Sequence, residues 1–220
     1  MTTIRNVLLD LDGTLIDSSS GVIAAVNYAL KETGHNEQPA ELICRYIGSP
    51  LDLMFRDFTD HPYEELRRHF RVKARETIVA STNLLPGAAE VVAELHGRGY
   101  RLAIATTKIR PHIEGILAKF SLQSYFATYA GADDVTRVKP DPEILRLILD
   151  RLDATPESSI MVGDTMHDLH AAQAVPITAV MVASPFADRD EILVANPGSF
   201  IESLAELPST IERLSQRKVG

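Results

Sequence analysis

Short apolar runs and longer amphipathic stretches alternate along most of the chain. Apolar runs predict strands at residues 7–9, 102–105, 160–162 and 178–182, with a weaker one at 128–131. Apolar residues at helical spacing predict helices at residues 88–95, 111–120 and 141–152. Strands that alternate with helices are typical of βαβ units, so the pattern predicts an α/β fold with a doubly wound parallel sheet. An edge element and a closing helix are expected within residues 193–220.

One region, from about Ser18 to Thr82, interrupts this alternation because its pattern is helical throughout. Residues at helical spacing form two predicted helix faces that are mostly apolar. One face holds Val22, Val26, Ala29 and Leu30, and the other holds Leu66, Phe70, Ala74, Thr77 and Ile78. The simplest interpretation is a helical insert of residues 17–83 in a core domain made of residues 1–16 and 84–220. Since the insert follows the first strand, we expect it to overhang the carboxyl edge of the sheet, where ligands bind.

Composition and charge narrow the possible partners. The chain has 220 residues, of which 45% are hydrophobic, and a formal net charge of −8. This acidic balance argues against broad nucleic-acid binding. Cys44 is the single cysteine, which excludes an intramolecular disulfide and fits a reducing compartment. The longest uncharged run, residues 171–187, is too short to span a membrane, and no signal-peptide core is seen, so we expect a cytoplasmic protein.

Polar residues follow four of the predicted strands. They are Asp10-Leu11-Asp12-Gly13-Thr14, Thr106-Thr107-Lys108, Lys139-Pro140 and Gly163-Asp164-Thr165, with Asp168 four residues after Asp164. Asp10 and Asp12 stand two apart on an extended segment, so their side chains point to the same side. Asp164 is expected to approach from another strand end, and Asp168 from the first turn of the following helix. The sequence therefore predicts several carboxylates at one edge of the sheet.

Carboxylates crowded together repel one another, and a hard divalent cation relieves that repulsion. A ligand set made only of oxygen atoms favours Mg²⁺, which readily takes a phosphate oxygen as a further ligand. Lys139 adds a positive charge, Thr106 a hydroxyl donor, and the turn after Asp12 is expected to offer free backbone N–H groups. Together these groups predict a phosphate-binding site with a carboxylate at its floor.

These segments carry a resemblance to a known family. Residues 10–17, Asp-Leu-Asp-Gly-Thr-Leu-Ile-Asp, resemble the signature of the haloacid dehalogenase-like phosphohydrolases. Thr106, Lys139-Pro140-Asp141-Pro142 and Gly163-Asp164-Thr165-Met166-His167-Asp168 are similar to the other three motifs of that superfamily, although the family commonly has Asn where this chain has Thr107. The insert, including Tyr46-Ile47-Gly48-Ser49-Pro50-Leu51, resembles the small helical cap of the phosphoglycolate phosphatase-like branch. The resemblance implies a Rossmann-like core with this cap inserted after the first strand.

The resemblance also implies roles for individual residues. Asp10 is the expected nucleophile, and Asp12 the expected general acid and base. Mg²⁺ would be held by Asp10, the backbone carbonyl of Asp12 and Asp164, while Asp168 would act as a further ligand or would orient Lys139. Substrate or phosphoryl contacts are expected from Gly13, Thr14, Thr106, Thr107, Lys108, Lys139, Arg45 and Gly48.

Two further expectations concern the insert and its surroundings. Asp17 and Ser18 are expected to cap its first helix. The charged residues considered for contacts with the rest of the substrate are Arg45, Arg56, Arg67, Arg68, Lys73, Lys108 and Arg110.

The function predicted is a Mg²⁺-dependent phosphatase acting on a small soluble phosphomonoester, with phosphoglycolate favoured by family likeness. A β-phosphoglucomutase-like phosphomutase would use the same Asp10, and nucleotidases and pyrophosphatases share the cap motif. A dehalogenase is less favoured because that branch works without magnesium. A receiver-type phospho-acceptor domain is the non-enzymatic alternative, which an insert of about 65 residues opposes. We expect a small phosphorylated molecule as partner, no nucleic acid, no membrane, and a monomer or homodimer.

Overall fold

The structure of the protein, a computed structural model, describes residues 3–217. The strands are β1 (Asn6–Leu9), β2 (Ile16–Asp17), β3 (Asn83–Leu84), β4 (Arg101–Ala105), β5 (Phe126–Ala130), β6 (Ser159–Gly163), β7 (Thr178–Val182) and β8 (Ser199–Ile201). Six of them form one sheet in the order β5-β4-β1-β6-β7-β8, and each neighbouring pair is parallel. This confirms the predicted parallel sheet.

Helices connect these strands and cover both faces of the sheet. They are α1 (Ser19–Glu32), α2 (Ala40–Cys44), α3 (Leu51–Phe58), α4 (Tyr63–Ser81), α5 (Ala88–Gly97), α6 (Arg110–Lys119), α7 (Glu143–Leu152), α8 (Met166–Gln173), α9 (Arg189–Val194) and α10 (Leu207–Arg217). The expected edge element and closing helix are β8 and α10, while residues 218–220 of that expectation lie outside the described residues. Within residues 3–217, no helix has both the length and the apolar character that crossing a membrane requires.

The alternation of side chains along β1 shows why the sheet is covered on both faces. Val7 and Leu9 belong to the apolar cluster that α5, α6 and α10 form on one face. Leu8 belongs to the cluster on the other face, which α7 and α8 complete. A strand buried on both sides is apolar at every position, which is why the sequence pattern of β1 is an uninterrupted run.

The strand order creates a crevice beside β1. After β1 the chain adds β4 and β5 on one side, and then crosses to add β6, β7 and β8 on the other. At such a reversal the loops that follow neighbouring strands diverge, and they leave room for a ligand at the carboxyl edge. The polar residues predicted at the ends of β1, β4 and β6 therefore all border this crevice.

Helices α1 to α4 lie between β2 and β3, which pair antiparallel with Ile16 opposite Leu84. Their buried apolar side chains form a cluster of their own, separate from the two clusters of the sheet. The two helical faces predicted from the sequence contribute to it, although Phe70 and Thr77 are only half-buried. The division into a core (residues 1–16 and 84–220) and a cap (residues 17–83) stays a prediction, which this separation of clusters supports.

Candidate active site

Three carboxylates meet at the carboxyl edge of the sheet. Asp10 follows β1, Asp164 follows β6, and Asp168 lies in the first turn of α8. All three are buried, and one oxygen from each lies within 4.8 Å of the others. The sequence predicted this convergence because parallel strands end at a common edge.

Lys139 lies within this acidic cluster, with 1% of its surface exposed. Its Nζ donates to Asp10 Oδ1 at 2.8 Å, to Asp168 Oδ1 at 2.5 Å and to the Ala105 carbonyl at 3.0 Å. An ammonium group has three donors, so all of them are used and the orientation of Asp10 is held by this contact. The other oxygen of Asp168 accepts from the N–H and hydroxyl of Thr165, at 3.1 and 2.8 Å. Of the two roles predicted for Asp168, orienting Lys139 agrees best with these contacts.

The cluster carries more negative than positive charge. Three carboxylates and one ammonium leave a net charge of −2 when all are ionised. Burial raises the pKa of Asp10 to about 6, with Lys139 opposing that rise and Asp168 adding to it. Burial also raises the pKa of Asp164 well above its usual value. Although burial opposes the charge of Lys139, the ion pairs with Asp10 and Asp168 raise its pKa overall.

Asp164 is the member of the cluster that lacks partners. It is fully buried, and among residues 3–217 neither of its carboxylate oxygens makes a hydrogen bond of good geometry, although the nearby Ser184 hydroxyl opposes the rise that burial causes in its pKa. Buried oxygens without donors and two uncompensated negative charges fit a divalent cation with oxygen ligands. The residues present therefore fit a divalent cation, and a role for Asp164 in holding it stays a prediction.

Asp12 is held in a second, neighbouring set of contacts. Lys108 Nζ lies 2.8 Å from Asp12 Oδ2, and the Ser18 hydroxyl donates to Asp12 Oδ1 at 2.5 Å. Lys108 Nζ also donates to Ser18 Oγ at 2.9 Å, which closes a triangle of buried groups. The carboxylate of Asp12 thus stands apart from the acidic cluster.

The expected capping role of Ser18 is wrong. Ser18 occupies the position before α1, but within residues 3–217 its side chain makes no capping hydrogen bond, because its oxygen accepts from Lys108 Nζ instead while its hydroxyl donates to Asp12. Asp17 does make a local contact, since its Oδ1 accepts from the Ser19 N–H at 2.8 Å. A hydrogen bond from a buried ammonium is charge-assisted and stronger than one from a neutral helix N–H, which is a physical reason why the Ser18 oxygen accepts from Lys108.

The expectation of free N–H groups in the turn after Asp12 is wrong for Gly13 and Thr14. Gly13 donates to the Ile16 carbonyl at 2.9 Å and Thr14 to the Leu11 carbonyl at 3.2 Å, because the turn closes on itself. Gly13 has φ +74°, and a Cβ there would lie 1.9 Å from Asp164 Oδ2. The glycine therefore lets Asp164 approach the turn, and a substrate contact from Gly13 or Thr14 stays a prediction without its expected donors.

The two threonines after β4 have different surroundings. Thr106 is buried, and its hydroxyl oxygen accepts from the Lys108 N–H at 3.4 Å. Thr107 is half-buried and donates from its hydroxyl to the Gly48 carbonyl at 3.4 Å, which joins the core to the cap. A phosphoryl contact from Thr106 and a substrate contact from Thr107 stay predictions.

A cavity of about 420 Å³ lies between the cap and the carboxyl edge. Asp12, Thr107 and Lys108 line it on the core side, and α4 and the loop before α3 line it on the cap side. Of the seven charged residues considered for substrate contacts, two border this cavity, Arg67 and Lys108. Arg45 instead borders a neighbouring groove with Thr165 and His167, so its substrate contact stays a prediction that this placement does not support.

Two residues that the sequence did not single out also line this cavity. Arg71 follows Arg67 by one helical turn on α4, so a reading of that helix face would have found it. His112 lies in the first turn of α6, is buried, and has an Nε2 atom without a partner among residues 3–217. Burial lowers the pKa of His112 to about 4, and nearby Lys108 adds to that effect.

Gly48 lies where the cap contacts the core. It has φ +85°, and a Cβ there would lie 2.9 Å from the Thr165 methyl group. Next to it, the Ser49 hydroxyl and His167 Nε2 lie 3.1 Å apart and form a hydrogen bond. The loop that contains Gly48 thus rests on the start of α8, beside the acidic cluster, while its direct contact with substrate stays a prediction.

Comparison with known proteins places this geometry in context. Residues 7–182 match the family model described as haloacid dehalogenase-like hydrolase. The chain is 34% identical to "Probable phosphatase IndB" of Dickeya dadantii (strain 3937), over 91% of this chain and 90% of the relative. It is 32% identical to a phosphoglycolate phosphatase of Salmonella paratyphi A (strain ATCC 9150 / SARB42), over 94% and 92%. A solved haloacid dehalogenase-like hydrolase from Bacteroides fragilis matches with a TM-score of 0.88 and 31% identity, over 93% of this chain and 100% of that one.

Proposed function

Because this chain belongs to the haloacid dehalogenase-like hydrolase family, we propose that its buried acidic site hydrolyses a small soluble phosphomonoester with the help of Mg²⁺. Its homologues carry the names of phosphatases, so the chain is a phosphatase of this family. The observation that carries the proposal of phosphomonoester hydrolysis at this site is the contact of Lys139 with Asp10. This contact holds a carboxylate beside a positive charge, where a phosphoryl group can be attacked.

In the first step, a carboxylate oxygen of Asp10 attacks phosphorus. The new bond from Asp10 to phosphorus forms as the bond from phosphorus to the ester oxygen breaks. Asp12 enters this step in its protonated form rather than as the carboxylate paired with Lys108, and gives its proton to the departing oxygen, which leaves as an alcohol. Lys139 keeps Asp10 aligned, and Lys139 and Thr106 stabilise the negative charge of the phosphoryl oxygens.

In the second step, water hydrolyses the aspartyl-phosphate. Asp12, now ionised, accepts a proton from the water as its oxygen bonds to phosphorus. The bond between phosphorus and Asp10 breaks, which releases inorganic phosphate and restores the Asp10 carboxylate. Because Asp12 ends the cycle protonated, it is ready to donate again.

Mg²⁺ would be held by Asp10, Asp164 and the backbone carbonyl of Asp12. When bound, it supplies positive charge that offsets the carboxylates and the phosphoryl oxygens. Asp168 is less free to bind it, because both of its oxygens accept hydrogen bonds from Lys139 or Thr165.

The size of the barrier explains why several groups are needed. Hydrolysis of a phosphate monoester can require an acceleration of about 10²¹-fold, or roughly 28 kcal/mol. A single general acid or base contributes about 10²- to 10⁴-fold. Covalent attack by Asp10, the charge of Lys139 and the cation must therefore act together.

Phosphoglycolate is the substrate we propose first. The relative named phosphoglycolate phosphatase aligns with 94% of this chain, and a solved structure predicted to be one aligns with 96%. The cavity between cap and core is also open to larger esters, so the substrate needs a direct test.

The test is a screen of the purified protein with Mg²⁺ against phosphoglycolate, nucleotides, sugar phosphates and pyrophosphate, with kcat/KM measured for each. We expect turnover of phosphoglycolate, complete loss with EDTA and recovery with Mg²⁺. An Asp164→Asn variant should lose activity and its response to Mg²⁺. Turnover that survives metal removal would contradict the proposed site, and a phospho-enzyme that transfers its phosphoryl group to a sugar would indicate a phosphomutase.

A further inference from the structure

The positively charged side chains of the cavity differ in whether their charge is compensated. Lys108 forms an ion pair with Asp12 at 2.8 Å. Arg67 forms an ion pair with Glu64, and its guanidinium lies 6.0 Å from the centre of the Tyr63 ring. Arg71 lines the same cavity, and among residues 3–217 its side chain makes neither a hydrogen bond nor an ion pair. Arg71 is thus the cation of the wall whose charge is available to a ligand.

The acidic residues of the wall do not compensate Arg71. Asp52 pairs with Arg56 at 3.0 Å, and Asp133 accepts from the backbone N–H of Arg110 at 2.7 Å. Asp12 is engaged by Lys108 and Ser18. Each carboxylate that lines the cavity therefore already has a donor of its own.

The position of Arg71 is set by the helix that carries it. Tyr63, Arg67 and Arg71 are spaced by four residues on α4, so they lie along one face, and all three line the cavity. This face belongs to the cap, whereas the residues proposed for phosphoryl transfer belong to the core. Much of the remaining wall is apolar, including Ile47, Leu51, Met54 and Phe70.

These observations indicate how a substrate would lie. Its phosphoryl group must reach Asp10 at the core, so its leaving group must extend into the cavity towards the cap. Apolar walls suit carbon atoms, and an unpaired guanidinium suits a carboxylate or a phosphate, which it can bind through two parallel hydrogen bonds.

We propose that the leaving group of the substrate carries a second anionic group and that Arg71 binds it. This inference rests on the proposed function, since it places the phosphoryl group at Asp10. Arg71 is then a residue that determines specificity for anionic leaving groups over neutral ones. Because Arg71 belongs to the cap and Asp10 to the core, a substrate bound at both ends also links the two.

The experiment compares binding of two series of non-hydrolysable phosphonates in the presence of Mg²⁺. One series ends in a carboxylate, from 3-phosphonopropionate to 6-phosphonohexanoate, and the other consists of alkylphosphonates of matching length. Calorimetry gives Kd for each. We expect at least one carboxylate to bind about tenfold or more tightly than its alkyl partner, since charged hydrogen bonds are among the stronger ones. The length with the largest preference measures the reach from the phosphoryl site to Arg71.

Substitutions assign that preference to one side chain. Arg71→Met should abolish the preference for the carboxylate series and leave Kd for the alkyl series unchanged, while Arg71→Lys should retain part of it. Arg68→Met is the matched control, because Arg68 lies on the same helix, pairs with Glu65 and does not line the cavity. A preference that survives in Arg71→Met, or that is lost in Arg67→Met alone, would overturn the assignment.

Turnover separates this inference from the proposed function. The two substrates are phosphoglycolate and its neutral analogue 2-hydroxyethyl phosphate, and Arg71→Met should lower the ratio of their kcat/KM values by about tenfold. If the wild-type protein hydrolyses neither these nor any ester of the screen, but binds the carboxylate series through Arg71, the proposed function fails and the anion site stands. If the protein hydrolyses esters without any preference for a second charge, the anion site fails and the proposed function stands.

Discussion

The carboxyl edge of the core and the cavity wall of the cap use charge in opposite ways. At the edge, Lys139 and the carboxylates that it contacts are almost completely buried, with side-chain exposures of 0–3%. On α4 the ion pair that reaches the cavity wall is open to solvent, because the side chains of Arg67 and Glu64 are 34% and 72% exposed. Buried charges depend on one another, whereas solvent screens exposed pairs. A substitution at the edge therefore leaves a neighbouring charge buried without its partner, whereas a substitution on α4 removes a contact that solvent already weakens.

The largest expected effect is on the nucleophile. Asp10→Asn should reduce kcat by about 10⁴-fold or more, because the amide cannot form the covalent intermediate, while the similar shape preserves the fold. Steady-state kinetics with the best substrate of the screen gives the rate, and circular dichroism checks the fold. Activity near that of the wild type would show that Asp10 is not the nucleophile.

The next effect separates buried from exposed lysines. Lys139→Met should lower the free energy of unfolding by about 3–5 kcal/mol, because it leaves Asp10 and Asp168 buried without their cation. The measurement is urea denaturation without metal. The control, Lys73→Met, also removes a lysine from an ion pair, but on the exposed face of the cap, and should leave the denaturation midpoint unchanged. Equal losses in the two variants would remove the distinction between the regions.

A smaller effect tests the contact between the cap and the core. Gly48→Ala should lower kcat/KM by about tenfold, because its methyl group would press against Thr165 and hold the cap away from the phosphoryl site. Gly34→Ala is the matched control, since Gly34 also has a positive φ, +79°, but a Cβ there would meet no atom of residues 3–217 within 4 Å. Both variants should lose about 1 kcal/mol of stability from the backbone alone. If Gly34→Ala lowers kcat/KM as much, backbone strain rather than docking is responsible.

The smallest effect concerns pH and His112. Its pKa is lowered to about 4 in the folded protein, against about 6.5 when unfolded. The neutral ring therefore stabilises the fold above pH 6.5, and this contribution is lost as pH falls towards 4. The Tm of the wild type should fall more steeply over that range than the Tm of His112→Gln, as measured by scanning calorimetry. The exposed His170→Gln variant should follow the wild type, and parallel curves for all three proteins would contradict the role of His112.

The site shows which features were predictable from the sequence. Asp10 and Asp164 were placed together correctly, because both directly follow strands and parallel strands end at one edge, and Lys139 joins them from the loop between β5 and α7. The faces of α1 and α4 that form the cap cluster were also predictable, since helical spacing reports which side of a helix is apolar.

The individual side-chain contacts outside the acidic cluster were not predictable. Ser18 and Lys108 are separated by 90 residues, and both bind Asp12. The choice of Arg71 rather than Arg45 for the cavity wall depends on how the cap rests on the core.

The sequence by itself determined the parallel sheet, the order of polar strand ends and the helical insert, because these follow from local periodicity and from where strands must end. Only the tertiary structure decided the partners of each charged side chain. A buried charge is costly without a donor or acceptor, and the nearest one often belongs to a segment that folding, not sequence order, brings beside it.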